Sequence, residues 1–327
     1  MKKILTWFCI ATPIPALFAE NLFVTRGKTH TLESLSPGFQ QSVYDAKKQY
    51  YEALSQLSQA ALLEMYLKEE SSKQKISPDD LEKKLFATTP VSEAEAKKWF
   101  DANQFRLGGR PFEGVKNDIM HFLSMEQQQK KREAFIQQLK VKESYAFSPA
   151  KPIPPKMEID TKGFPRKGPD TAKVTVVEFA DYQCPHCQAT AEVMKKVESI
   201  YANKIQFVFL DYPLSSHHLA FTVAEGAACA DAQGKFWEYH YMAFGNQASL
   251  TTDSPTIFAK TLGLKMASFT SCLQATSTKA KILQSKKKGD DLHIEGTPTI
   301  YINGIKHVQG YTVEELSASI DAALNQS

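Results

Sequence analysis

Two cysteines two residues apart, Cys184 and Cys187, frame the stretch Cys184-Pro185-His186-Cys187. It lies between a β-branched apolar run, Val174 to Phe179, and a segment of helical spacing that begins near Gln188. A thiol pair at this spacing can open and close a disulfide. Placed at a strand-to-helix junction, the first cysteine falls on the helix N-terminus, where unpaired N–H groups and the helix dipole favour thiolate over thiol. The thiolate is the form that attacks a disulfide. Pro185 suits the first helical position, where its missing N–H leaves no bond unmade, and a protonated His186 adds positive charge beside Cys184. Each feature pushes the Cys184 pKa down. Read instead as half a zinc site, the pair lacks a second Cys-x-x-Cys to complete four ligands. His217 and His218 open a later helix and read as structural capping, so neither a metal nor a cofactor is expected.

The N-terminus points to a compartment. Met1-Lys2-Lys3 is a short basic start, Ile4 to Phe18 is an apolar stretch interrupted by Pro13 and Pro15, and Ala19 is a small residue before Glu20. Residues 1–19 read as a Sec-type signal peptide, with a retained N-terminal membrane anchor as the other reading. Cys9 lies inside the apolar run without the small residues that lipid attachment needs, and is removed with it. No later stretch reaches about 18 consecutive apolar residues, so the mature protein is expected to be soluble and periplasmic or otherwise exported. In such a compartment disulfides persist. Cys229 and Cys272, both in a helical stretch, are expected to form a structural disulfide. Two buried free thiols is the alternative, because sequence does not show whether their Cα atoms come within about 7 Å. At 43% hydrophobic and 23% charged residues, the 327-residue chain has the material of two globular domains. A formal charge of +3 is too small to argue for nucleic acid, and Lys286 to Lys288 reads as a solvated helix end.

The elements that must position the pair follow from periodicity. Between Ser144 and Ala172, six prolines (149, 152, 154, 155, 165 and 169) with Gly163 and Gly168 preclude a sustained helix, and residues 149–170 read as a linker. Upstream, residues 20–148 read as an all-α domain. Val43, Tyr50, Leu54, Leu57, Ala61 and Met65 recur at helical spacing. Ser77-Pro78 marks a helix start, Ser92 with Glu95 a capping box, and Phe112 to Lys142 a long helix with a polar middle from Glu126 to Arg132. Downstream, residues 171–327 alternate. A strand at Val174 to Phe179, a helix from about Cys187 to Tyr201 and a strand at Ile205 to Leu210 make a βαβ unit. Helices occupy about 214–290. Strands at Thr299 to Ile302 and Lys306 to Gln309 then flank an Asn303-Gly304 turn, and Thr312 with Glu315 caps a last helix. This is the order of an α/β thioredoxin fold carrying a helical insertion.

Three stretches carry a more specific resemblance: Val177 through Cys187; Gln233-Gly234-Lys235-Phe236-Trp237-Glu238-Tyr239-His240; and Gly296-Thr297-Pro298-Thr299 with Ile302-Asn303-Gly304. In order, over about Pro165 to Leu324, they are similar to the DsbA family of exported thiol-disulfide oxidoreductases. The resemblance implies that Cys184 is an exposed nucleophile and Cys187 a buried resolving cysteine. It implies that Pro298 is a cis-proline against the pair, with Thr297 offering backbone hydrogen bonds to a substrate peptide. Glu178 matches a buried carboxylate that influences proton transfer at the resolving thiol; an ordinary strand carboxylate is its plainer reading, as a trans turn proline is for Pro298.

Residues 22–147, especially Val91-Ser92-Glu93-Ala94-Glu95 through Asn103 and on to 127–139, resemble in pattern the helical N-terminal domain of SurA-type periplasmic chaperones. That implies a surface for unfolded chains or for a partner subunit, where a plain helical spacer is the alternative. Together the resemblances imply an enzyme that introduces disulfides into unfolded or reduced exported proteins and is reoxidised by a DsbB-like membrane partner. One alternative is a disulfide isomerase or reductase, dimeric through the N-terminal domain and kept reduced by an electron-donating partner. The other is a holdase chaperone or surface-interaction protein whose thiols matter little.

Overall fold

The computed structural model describes residues 21–104 and 107–326, so the signal-peptide reading of 1–19 lies outside the described residues. In chain order the elements are β1 (Asn21–Thr25), β2 (Lys28–Thr31), α1 (Pro37–Gln74), α2 (Pro78–Phe86), α3 (Glu93–Ala102) and α4 (Phe112–Lys142). Next come β3 (Arg166–Lys167), β4 (Val174–Ala180), α5 (Pro185–Tyr201), β5 (Ile205–Asp211), α6 (Ala220–Asp231), α7 (Phe236–Gly245), α8 (Ser254–Thr261), α9 (Met266–Gln274) and α10 (Thr276–Asp291). The chain ends with β6 (Thr299–Ile302), β7 (Ile305–Lys306) and α11 (Val313–Asn325). Among the described residues two compact units result: 46–152, and 21–45 with 153–326. The proline-rich stretch 149–170 straddles that division.

The unit of 46–152 is helical, with two small cores. Leu63 and Leu67 of α1 meet Leu81 and Phe86 of α2 and Leu139 of α4. Ala96 and Phe100 of α3 meet Val115 and Ile119 at the other end of α4. The polar middle of α4 separates these clusters. Ser77 caps α2, and Ser92 and Glu95 form the reciprocal capping box of α3. The helical period of α1 is as read, yet Tyr50, Leu57 and Met65 from its apolar series are 66–70% exposed, because Leu63 and Leu67 supply the buried face.

In the other unit a five-stranded sheet runs β3-β5-β4-β6-β7, with β4 and β5 parallel and the remaining neighbours antiparallel. Side chains alternate across β4 and β5 as the strand period demands. Val174, Val176, Ile205 and Phe207 pack with Met194 and Val197 of α5 and Leu316 and Ile320 of α11. Val177, Phe179, Val208 and Leu210 face the other way, onto Met157, Phe164, Leu292 and Ile294. The helical insertion, α6 to α10, adds a third cluster that closes around the start of α5 and includes Tyr182, Cys184 and Cys187. Cys229 of α6 and Cys272 of α9 are joined by a disulfide inside it, Cα atoms 5.7 Å apart.

The strand expected at Lys306 to Gln309 is instead the shorter Ile305–Lys306. Asn303 and Gly304 form the two-residue turn with φ of 49° and 80°, so pairing starts at once with Ile302 opposite Ile305. One further bond, His307 N–H to Ile300 O at 2.8 Å, ends the ladder. The chain then turns toward α11, whose Thr312–Glu315 capping box is formed.

Candidate active site

Cys184 is the N-cap of α5 and Pro185 its first residue, so the helix starts inside the Cys-x-x-Cys motif. Pro185 and His186 are exposed and Cys187 is fully buried. Cys184 is 5% exposed, less open than the nucleophile implied by the family resemblance, because its Sγ turns in to donate to the Thr297 carbonyl at 3.2 Å. The Thr297–Pro298 peptide is cis. The two thiols have opposite proton affinities. Cys184 is pulled down to about 5, first by a hydrogen bond from the Cys187 thiol, against the cost of burial, then by Thr297 and the N–H groups of Cys187 and His186. Burial and the Cys184 sulfur push Cys187 well up. Cys184 is thus a thiolate at neutral pH, beside a partner that keeps its proton.

The turn before the helix is pinned by residues whose roles the sequence reading missed. The Asp181 carboxylate, fully buried, accepts from Gln183 N–H at 2.6 Å and Leu214 N–H at 2.7 Å and pairs with His217 Nδ1 at 2.9 Å. The backbone of Asp181 accepts from Cys184 N–H at 3.1 Å and points its own N–H at Cys187 Sγ, 3.5 Å away. The signal along the chain that could have marked one of these contacts is an aspartate two residues before Gln183, the spacing of an Asx turn. Gln183 Oε1 accepts from the N–H groups of Leu219 and Ala220, which open α6. Expected to cap that helix, His217 instead binds Asp181, because the Gln183 amide already fills the capping position. Gln247 Nε2 donates to the carbonyls of Tyr182 and Cys184 at 2.9 and 3.0 Å, holding the loop from the insertion side.

Glu178 lies mid-strand on β4, opposite Phe209 and Ile300, on the face that carries Val176 and Ala180. It is buried, and its Oε1 has no hydrogen-bond partner among the described residues. Burial, with the Glu198 charge second, raises its carboxyl to about 8. Glu198 is satisfied at its own end by Lys167 Nζ at 2.7 Å and the Tyr241 hydroxyl at 2.6 Å. Tyr311, half-buried, donates its hydroxyl to Pro298 O at 2.9 Å. Burial first, then the charges of Glu178 and Cys187, hold its phenol above the ordinary value. Of the residues singled out in the sequence, Cys184, Cys187, Thr297 and Pro298 come together, with Glu178 on the strand that leads into them; Asp181, Gln183, Gln247 and Tyr311 complete the site.

Residues 161–322 match a family model described as thioredoxin. Among curated proteins, "Na(+)/H(+) antiporter NhaA 1" of Salinispora arenicola is 32% identical over 158 residues, 48% of this chain and 24% of that protein. "Probable disulfide bond formation protein D" of Bacillus anthracis is 26% identical over 170 residues, 49% of this chain and 77% of that protein. The chain thus spans about a quarter of the length of the antiporter relative. The solved structure of oxidised BdbD from Bacillus subtilis covers 53% of this chain and 98% of its own, at 22% identity and a TM-score of 0.48.

Proposed function

We propose that this chain, whose residues 161–322 match the thioredoxin family model around a Cys-x-x-Cys pair, is an exported thiol-disulfide oxidoreductase of the DsbA type. Its work is to introduce disulfides into unfolded or reduced exported proteins. The observation that carries this reading is the split between the two thiols: Cys184 acidic at about 5, Cys187 held protonated by burial.

With Cys184 and Cys187 joined as a disulfide, a substrate thiolate attacks Cys184 Sγ. The S–S bond breaks, its electron pair goes to Cys187 Sγ, and that sulfur takes up a proton because its thiol is the favoured form. A second substrate thiolate then attacks the substrate sulfur of the mixed disulfide, and Cys184 leaves as its stabilised thiolate. The substrate loses two electrons and the pair gains two. A stable leaving thiolate makes the oxidising direction favourable, and the reduced form is the low-energy one. A disulfide-bearing membrane partner resembling DsbB restores the oxidised pair. The "disulfide bond formation" in the name of the Bacillus anthracis relative supports this class of reaction. In this reading residues 1–19 direct export, 171–327 carry the chemistry, and Pro185, His186, Thr297, Pro298 and Glu178 shape it. The helical segment 20–148 holds unfolded chains or joins two copies, supported by exposed Tyr50, Leu57, Met65, Phe122 and Met125.

Trapping thiols in cells with a bulky alkylating reagent tests the direction. A pair mostly oxidised fits the oxidase; a pair mostly reduced transfers the assignment to an isomerase or reductase fed by an electron donor. Purified Cys184→Ser protein is expected to lose all exchange with a dithiol peptide, and retained exchange would overturn the thiol reading altogether.

A further inference from the structure

The loop that faces the cysteine pair is built from three successive carbonyls, and each accepts a hydrogen bond from a different place. Gly296 O accepts from Thr299 Oγ1 at 2.8 Å, Thr297 O from Cys184 Sγ at 3.2 Å, and Pro298 O from the Tyr311 hydroxyl at 2.9 Å. Pro298 has no N–H, so the hydrogen bond that holds its backbone is made through its carbonyl. When Cys184 ionises, its sulfur ceases to donate to Thr297 O, and the side-chain donors left on the loop are Thr299 Oγ1 at Gly296 O and the Tyr311 hydroxyl at Pro298 O, one on either side of that carbonyl.

Tyr311 is itself rigidly placed. It precedes Thr312, the N-cap of α11, whose side chain accepts from Glu315 N–H while Glu315 returns a bond to Thr312 N–H. Its ring packs in the cluster that holds Leu316, four positions beyond the cap, which is the arrangement of a hydrophobic staple. The ring also lies 5.8 Å from that of His307, whose Nε2 contacts Gly310 O at 2.9 Å. The last helix thereby delivers one phenol hydroxyl to the back of the cis-proline loop.

We propose that Tyr311 is a positioning residue for thiol exchange, its hydroxyl holding the Thr297–Pro298 backbone in the orientation that an incoming peptide meets beside Cys184. The proposal rests on the thiol-exchange reading above. The groups that lower the Cys184 pKa are Cys187, Thr297 and backbone N–H groups, and Tyr311 is not among them. Removing the hydroxyl therefore separates capture of the peptide from formation of the thiolate.

The test uses the full chain with a model dithiol peptide. Tyr311→Phe is expected to lower kcat/KM about three- to tenfold through a higher KM, the scale of one lost hydrogen bond. The pH midpoint of thiolate absorbance should stay where it is in the parent protein. Thr312→Ala, which breaks the helix cap and leaves the hydroxyl in place, should lower thermal stability while keeping kcat/KM within about twofold. Unchanged kcat/KM in Tyr311→Phe overturns the proposal. So does an equal loss in Thr312→Ala, which would make Tyr311 part of the fold only, or a thiolate midpoint that moves with the hydroxyl. Exchange that survives Cys184→Ser in the same assay removes the underlying reading instead, whatever Tyr311 does.

Discussion

Cys184 and Cys187 have opposite proton affinities, Cys184 lowered first by the hydrogen bond from the Cys187 thiol and Cys187 raised first by burial, and the Cys184 shift has a consequence in solution. Cys184 is more acidic folded than unfolded, so its contribution to stability is present above its ordinary value near 9 and drains away as pH falls through about 5. The reduced protein should lose thermal stability relative to the disulfide form between pH 7 and pH 4, and Cys184→Ser should flatten that difference. Absorbance of the thiolate in the reduced protein, read against pH, should show its midpoint near 5. Glu178 behaves in the reverse sense. Its folded carboxyl titrates at about 8 against an ordinary 4.5, so its penalty is absent below 4.5 and grows until about pH 8. At pH 7 the penalty is on the order of 3 kcal/mol, reduced by whatever relaxation the site allows. For the oxidised protein, where Cys184 does not titrate, Glu178→Gln should leave melting unchanged near pH 5 and raise the melting temperature progressively toward pH 8. A gap that does not widen with pH would mean that Glu178 is not buried as a neutral acid.

At the scale of elements, much of the architecture is legible because it depends on local chemistry. Thr299–Ile302 and Phe112–Lys142 are bounded as read, and Ser77, Ser92 and Thr312 cap the helices they were expected to cap. What escapes the sequence is contact across the topology. Gln183 meets Leu219 and Ala220 only because the insertion returns to the start of α5, and Tyr311 meets Pro298 only because β7 ends early and feeds α11 back toward the loop. Neither polar residue differs in type from a solvated one, so no pattern along the chain marks it. The disulfide is intermediate: residue type and compartment suggested the bridge, but only packing of α6 on α9 brings Cys229 and Cys272 together. They lie 43 residues apart, and in the chain-entropy model a loop of that size stabilises by about 4 kcal/mol. Replacing both cysteines with alanine should lower the denaturation midpoint accordingly. It should leave Cys184 able to exchange at temperatures where the variant stays folded, since the groups that lower its pKa are Cys187, Thr297 and the N–H groups of Cys187 and His186.

For the whole molecule, the question is what residues 46–152 add to a domain that already contains the chemistry. Every residue placed at the site, and the three cores that support it, lie between residues 157 and 324. In the proposed reaction, oxidation of a short dithiol peptide should ask for nothing else, because such a peptide would meet only the Cys184 sulfur and the cis-proline loop. A long unfolded chain is different: it exposes apolar segments that must be held while thiols find one another. The helical unit offers solvent-facing Tyr50, Leu57, Met65, Phe122 and Met125, each at least half exposed. Apolar area left in water at that scale is a cost to the isolated molecule, and is recovered when another chain covers it. Deleting residues 46 to 152 should therefore leave peptide oxidation within about twofold, while suppression of aggregation of a reduced, unfolded protein and rescue of a scrambled one both fall by about tenfold or more, as loss of one modest binding surface would give. Equal activity of the fragment in all three assays would reduce the helical unit to a spacer. Loss confined to the scrambled substrate, together with a change from dimer to monomer on sedimentation, would instead assign the unit to bringing two Cys184 sites together.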